Sequence, residues 1–213
     1  MKYQLIIFDF DGTLADTFPW FAGIINEVAE AQGFKKINDR EAAMLRGCSV
    51  RAILQYLGVP LWKLPVLARH VQKMMSADID KINLFAGAES MLRTLTEQGL
   101  TLGLVSSNSL SNVQRILGEQ NQKLFPYYEC GVSMLGKQVK LRKIMRKGGV
   151  EPRRTLAIGD EIRDIEAARR VGAVSGVVSW GYNSFEALLS YQPDERFCSM
   201  EEITEHILEA DVY

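Results

Sequence analysis

Three absences narrow the field before any motif is read. Cysteine is scarce: Cys48, Cys130 and Cys198 are far apart and show no CxxC spacing. An odd, sparse set builds no disulfide framework, and a reducing compartment is the simpler reading. Cys48 has no histidine near it in sequence and reads as a buried or incidental thiol rather than a nucleophile. Surplus charge is missing too. Lys and Arg number 25 against 26 Asp and Glu, a formal net charge of −1. No global basic field exists for nucleic acid or an anionic membrane, so neither is expected as a partner. An anionic ligand must be met by a local cluster of positive groups. Long apolar runs are also absent. The run at residues 3–8 is stopped by Asp9, and nothing elsewhere approaches the roughly 18 residues of a membrane span. A cytoplasmic protein is expected. Internal repeats and low-complexity segments are lacking as well.

What is present suits a globular chain. Apolar residues make up 47% and charged residues 24% of 213 positions, enough for one large domain or a core carrying a smaller insertion. Four short apolar runs end at polar residues: 5–8 before Asp9, 102–105 before Ser106, 156–158 before Gly159 and Asp160, and 174–178 before Ser179 and Trp180. Such runs fit strands buried on both faces. Amphipathic segments lie between them, with Met91, Leu92 and Leu95, and then Val113, Ile116 and Leu117, at helical spacing. A further helix should follow Asp164, its inner face Ile165, Ala168 and Val171, ended by Gly172. Strand alternating with helix reads as an α/β fold, a doubly wound parallel sheet.

One stretch breaks this rhythm. Between residues 17 and 85 there is no strand pattern, only helical patterns near 20–32, 39–45, 49–57 and 61–79, punctuated by Gly33, Gly47, Gly58 and Asp80. It reads as a small helical domain of residues 17–85 inserted after the first strand, with residues 1–16 and 86–213 as the core. Trp20, Phe21 and Trp62 are expected in the insertion's own core.

In open α/β sheets ligands sit beyond the carboxyl ends of the strands. The polar residues closing the runs therefore converge. Asp9 and Asp11, one residue apart before a Gly that permits a tight turn, can point into one site, where one attacks and the other manages a proton. Asp160 and Asp164 add carboxylates four apart at a helix start. A hard divalent cation such as Mg²⁺ takes one or two protein carboxylates together with phosphate and water, and Asp9 and Asp160 can supply them. Ser106, Ser107 and Asn108 follow a strand and open a helix, where hydroxyl and N–H groups suit a phosphate oxygen. So many acids with a phosphate need a lysine besides the metal. Lys140 belongs with Arg142, Lys143, Arg146 and Lys147 to what looks like a solvated helix face. Lys137 stands apart in the loop after Gly136 and is preferred.

These elements, in this order and over nearly the whole chain, resemble the haloacid dehalogenase superfamily, in its phosphoglycolate phosphatase-like branch. Asp9-Phe10-Asp11-Gly12-Thr13-Leu14 is similar to its first motif, Ser106 to the second, Lys137 to the third, and Gly159-Asp160 with Asp164 to the fourth. The helical insertion resembles that branch's cap domain. The resemblance implies a Mg²⁺-dependent hydrolase of a small phosphorylated metabolite. Asp9 would form an aspartyl-phosphate, and Asp11 would protonate the leaving oxygen and then activate water. Mg²⁺ would meet Asp9, the main-chain carbonyl of Asp11, and Asp160. Ser106 and Lys137 would hold phosphate oxygens, with Ser107 and Asn108 in support, and Asp164 would orient a metal-bound water or Lys137. In the cap, Arg46 and Gly47 resemble the substrate loop, although Arg46 also reads as a solvated helix end. Asp11 argues against dehalogenase chemistry, since a halide leaving group needs no acid. A sugar-phosphate mutase of the same superfamily and a non-catalytic phosphate-binding protein are the rival readings.

Overall fold

The computed structural model describes residues 2–132 and 136–209. A parallel sheet of six strands forms its centre: β1 Leu5–Asp9, β2 Thr101–Val105, β3 Tyr127–Glu129, β4 Thr155–Gly159, β5 Val174–Val178 and β6 Glu195–Phe197. Their order across the sheet is β3-β2-β1-β4-β5-β6. The order reverses at β1, so the carboxyl end of β1 is the switch point where such sheets bind ligands.

The sheet core forms because alternate residues of each strand face opposite sides. Ile6 and Phe8 join Leu102, Leu104, Leu156 and Ile158 in one buried cluster. Three helices cover that face: α5 Ala88–Glu97, α6 Leu110–Gln122 and α10 Met200–Glu209, which bring Met91, Leu92, Leu95, Val113, Leu117, Ile203 and Ile207. Leu5 and Ile7 point to the other face, against α7 Lys137–Gly148 and α8 Ile162–Val171 through Leu141, Ile144, Ala167 and Ala168. A short α9, Phe185–Ser190, packs Leu188 on Val177, Ile162 and Ile165. Gly172, in the left-handed region, ends α8 as its position predicts.

Between β1 and α5 the elements are all helical: α1 Phe18–Gln32, α2 Asp39–Leu45, α3 Val50–Leu57 and α4 Leu64–Ala77, with two short 3₁₀ turns. The fold is thus the doubly wound α/β sheet with a small helical cap inserted after the first strand. Asn38 and Ser49 begin α2 and α3 by accepting from the N–H groups of Glu41 and Ala52. Cap and core are joined by two adjacent chain crossings. Asp16 N–H donates to the Asn83 carbonyl and Phe85 N–H to the Leu14 carbonyl, both at 2.9 Å. None of the described helices is long and apolar enough to cross a membrane.

Several expectations need correction. Strands β3 and β6, and helices α9 and α10, carry no expectation above; the two strands have three residues each, too short for a periodic pattern. The helix expected after Asp164 starts two residues earlier, with Glu161 as its N-cap; Asp164 lies inside the first turn and closes a capping box, its carboxylate accepting from the N–H groups of Asp160 and Glu161. Residues 106–108 do not open a helix; α6 begins at Leu110, with Ser109 as its cap. Lys137 is not in a loop but is the first residue of α7. Trp62 is not in a cap core, for it is 72% exposed. The cap's own cluster is built instead from Leu54, Leu57 and Val59, with Phe34, Ile37 and Leu64 around them.

Candidate active site

The register of β1 sets the geometry. Asp9 closes the strand opposite Val105, and its neighbour on the other side, β4, ends at Gly159. Side chains from three strand ends therefore meet. Asp9, Asp160 and Asp164 are buried, at 3%, 0% and 5% exposure, and each offers an oxygen within 4.8 Å of the others. Burial in a low dielectric raises the carboxyl groups of Asp9 and Asp160 above the usual range, Asp160 well above it.

Each acid has a distinct setting. One oxygen of Asp9 accepts from the Phe10 N–H at 2.8 Å. The other, Oδ2, is buried and ion-paired with the Lys137 ammonium at 2.7 Å, and no other group among the described residues donates to it. Asp160 is held by neutral donors: the Thr13 hydroxyl at 2.6 Å and the Tyr182 N–H at 2.8 Å. Asp164 pairs with Lys137 through Oδ1, while its Oδ2 faces the two main-chain N–H groups already named. Lys137 thus bridges Asp9 and Asp164. Burial works to discharge it, but Asp164 and Asp9 outweigh that and raise its pKa. Glu161 pairs with Arg163, whose Nε donates to it at 2.5 Å. Four acids, Asp9, Asp160, Asp164 and Glu161, then face two cations, Lys137 and Arg163, leaving an excess of negative charge that a further cation would offset.

Asp11 lies to one side of this cluster. Its carboxylate accepts from the Ser106 hydroxyl and the Asn108 amide, both at 3.0 Å. Burial first, and the charge of Asp9 second, push its carboxyl up to about 6. Asn108 is positioned in turn, its N–H donating to Ser106 Oγ at 2.8 Å. Ser107 is exposed, and its carbonyl accepts from Gln72 of the cap at 2.7 Å.

The two lysines have separate tasks. Lys140, expected on a solvated face, turns inward one helical turn after Lys137. Its ammonium donates to the carbonyl of Ser106 at 2.6 Å and to that of Gly131. Burial lowers its pKa to about 8. It props the backbone beneath Ser106, while Lys137 faces the carboxylates.

Two glycines make room for this packing. Gly12 has φ +79°, and a Cβ there would sit 2.3 Å from Asp160 Oδ2; one on Gly181 would sit 2.1 Å from Asp160 Cβ. The site residues that sequence reading missed are Thr13, inside the first motif, and residues 181–183, which follow the fourth apolar run and its Ser179-Trp180 at a strand's carboxyl end. The cap residues Arg46 and Gly47 do not reach the carboxylates. Gly47 is exposed, and the Arg46 guanidinium donates to the carbonyls of Gly181 and Tyr182.

The ligand atoms gathered here are carboxylate oxygens, and among the described residues Asp9 Oδ2 is met only by the Lys137 ammonium, so the cluster fits a hard cation. A parallel sheet with a buried carboxylate at its switch point, a second acid, a bridging lysine and a cluster of oxygens suited to a hard cation is a setting for phosphoryl transfer. Comparison with known proteins agrees. The profile of haloacid dehalogenase-like hydrolases matches residues 6–178. The chain belongs to that family. It is 36% identical over 192 residues to a phosphoglycolate phosphatase of Synechococcus elongatus, covering 90% of this chain and 91% of the relative. An N-acetylmuramic acid 6-phosphate phosphatase of Pseudomonas aeruginosa is 24% identical, with 85% and 84% covered. Among solved structures, a haloacid dehalogenase-like family protein of Streptococcus pneumoniae superposes with a TM-score of 0.79 at 18% identity, over 97% of this chain and 99% of that one. CbbY of Rhodobacter sphaeroides, in complex with phosphate, gives 0.74 at 22%, over 94% and 96%. At these identities the two structures show the shared fold.

Proposed function

We propose that this chain is a phosphomonoester hydrolase in which Asp9 accepts the phosphoryl group of a small phosphorylated metabolite. One observation carries the reading: Asp9 Oδ2 is a buried carboxylate oxygen whose one partner among the described residues is the Lys137 ammonium, beside the Asp160 cluster. An oxygen so placed is free to form a bond to phosphorus. The Lys137 charge opposes the burial that raises the Asp9 carboxyl, and the ammonium is placed to meet a phosphate oxygen.

Asp11 is the partner acid. It must give a proton to the leaving oxygen and later take one from water, and a carboxyl raised to about 6 exchanges protons readily near neutral pH. Ser106 and Asn108 aim it, and Lys140 fixes the backbone of Ser106 from below. Asp9, Asp160 and the main-chain carbonyl of Asp11 would hold Mg²⁺, while the oxygens of Asp164 are already taken by Lys137 and main-chain N–H groups. When bound, Mg²⁺ would offset negative charge on the transferred group.

The same reading divides the chain into a core, residues 1–16 and 86–213, and a cap, residues 17–85, that covers the core crevice and excludes stray water. It places the enzyme in the cytoplasm. Among substrates, 2-phosphoglycolate is the first to try, since the 36% identical relative carries that name.

The test is phosphate release by the purified protein from p-nitrophenyl phosphate and a panel of phosphorylated metabolites. Release with Mg²⁺ and none after EDTA is expected. No release from any substrate, or release indifferent to EDTA, contradicts the reading. Return of the phosphoryl group to substrate, with no free phosphate, identifies a mutase instead.

A further inference from the structure

Besides the contacts of Gln72 with Ser107 and of Met75 with Asn108, the cap is clasped to the core at the loop after β5, residues 181–184. On the cap side, Arg46 Nε donates to the Tyr182 carbonyl at 3.1 Å and Nη2 to the Gly181 carbonyl at 2.8 Å. Its own carbonyl accepts from the Ser184 N–H at 2.9 Å. Phe18 and Phe21 of α1 pack on the Tyr182 ring, with centroids 5.3 and 5.7 Å away. On the core side, the same loop holds Asp160. The Tyr182 N–H donates to its carboxylate and the Asn183 N–H to its carbonyl, at 2.8 and 3.3 Å.

Asn183 joins the two sides through one amide. It is 5% exposed. Its Nδ2 donates to the carbonyls of Arg46 and Cys48 in the cap, at 2.8 and 2.9 Å. Its Oδ1 accepts from the N–H of Ile162, the first residue of α8, at 3.0 Å. The amide's orientation is set by chemistry: two carbonyls need a donor and one N–H needs an acceptor. A Cβ on Gly181 would sit 2.1 Å from Asp160 Cβ, so the loop lies directly against that residue.

We infer that Asn183 is a positioning residue that couples docking of the cap to the placement of residues 160–164. The inference builds on the proposed phosphatase reading and names a residue through which cap closure and the phosphoryl-transfer site sense each other. Coupling of this kind is reciprocal. Ligands that fix Asp160 tighten the cap, and a docked cap holds Asp160 ready.

Hydrogen exchange read by mass spectrometry on the full chain tests it, with and without Mg²⁺ plus orthovanadate as a phosphate mimic. In the native protein, peptides covering residues 44–50 and 155–165 should both exchange more slowly when the ligands are added. Asn183→Asp keeps an acceptor for the Ile162 N–H but sets a carboxylate against the two cap carbonyls. It should abolish the slowing at 44–50, retain it at 155–165, and raise KM more than it lowers kcat, by about 5- to 150-fold, the range of typical coupling energies. Should that variant fail to give a native melting curve, Arg46→Gln carries the same expectation from the cap side. Asn183→Asp or Arg46→Gln slowing at 44–50 as the native protein does overturns the coupling. So does a native protein whose core peptide responds while its cap peptide does not. A native protein that shows the coupled slowing yet releases no phosphate leaves the coupling standing and overturns the phosphatase reading.

Discussion

In the core crevice Asp9, Asp160 and Asp164 are buried, and their partners come from several strand ends and from the loop after β5. In the cap the ion pairs Lys35–Glu41 and Lys36–Glu30 lie at the surface, where such pairs contribute little. Its apolar cluster is small, and Leu61, Trp62 and Val66 are about half exposed or more. The contrast follows from what each part must do. Stabilising a transferred phosphoryl group requires dipoles and charges fixed before the reaction, so the core forfeits tolerance for placement. The cap has only to dock and shape the entrance, and most of its surface is free of that constraint.

Four substitutions break or sharpen the contrast, in falling order of effect. Asp9→Asn removes the proposed nucleophile. Uncatalysed phosphate-monoester hydrolysis is so slow that enzymes supply up to ~10²¹-fold, so turnover should vanish on every substrate while the melting temperature stays native. Residual turnover near the native rate would remove Asp9 from the chemistry.

Asp11→Asn should be milder, since acid–base assistance is worth about 10²–10⁴-fold. Phosphorylation of Asp9 should be slowed strongly with an alkyl phosphate and little with p-nitrophenyl phosphate, whose leaving group needs no proton, while hydrolysis of the intermediate should be slowed with both. Native enzyme should show the same signature in pH. The acid form of Asp11 is the one that donates, and its carboxyl is raised to about 6. The alkyl-phosphate rate should therefore fall as pH rises above that value, more steeply than the p-nitrophenyl rate. Parallel pH profiles for the two substrates would count against Asp11 as the acid.

Thr13→Val changes shape little but takes from Asp160 its shortest hydrogen bond, the 2.6 Å hydroxyl contact. Removing a partner of a metal-holding carboxylate typically costs 10–100-fold in affinity. Calorimetric titration with Mg²⁺ should show that weakening, and unchanged affinity would free Asp160 of the role. Trp62→Ala should do least. At 72% exposure the side chain makes few contacts, and both stability, within about 0.5 kcal/mol, and turnover should be unchanged. A clear loss of turnover would mean that Trp62 meets substrate.

The legible parts of the molecule were those written in local pattern. Strands β1, β2, β4 and β5 are apolar runs ended by polar residues, and Asp9, Asp11, Ser106, Asp160 and Asp164 sit where those runs stop. The cap helices show their spacing and caps directly. What sequence concealed depends on contacts between distant positions. Lys140 looks like one more cation on a basic helix, and only the fold reveals that its face of α7 lies beneath Ser106. Thr13 was in view but had no visible partner 147 residues away. Residues 181–184 carry no motif at all; their importance comes from meeting Arg46 on one side and Asp160 on the other. Strands β3 and β6 are short edges whose pairing is set by neighbours rather than by their own composition.

The central claim is that Asp9 carries the phosphoryl group. Rapid-quench mixing with acetyl phosphate, followed by peptide mass spectrometry, measures it directly, best in Asp11→Asn, where hydrolysis of the intermediate is slowed. The account predicts one phosphate per chain on the peptide containing Asp9, with fragmentation placing it on that residue and none trapped in Asp9→Asn. Phosphate on another residue, or the same trapped yield from Asp9→Asn, would contradict it.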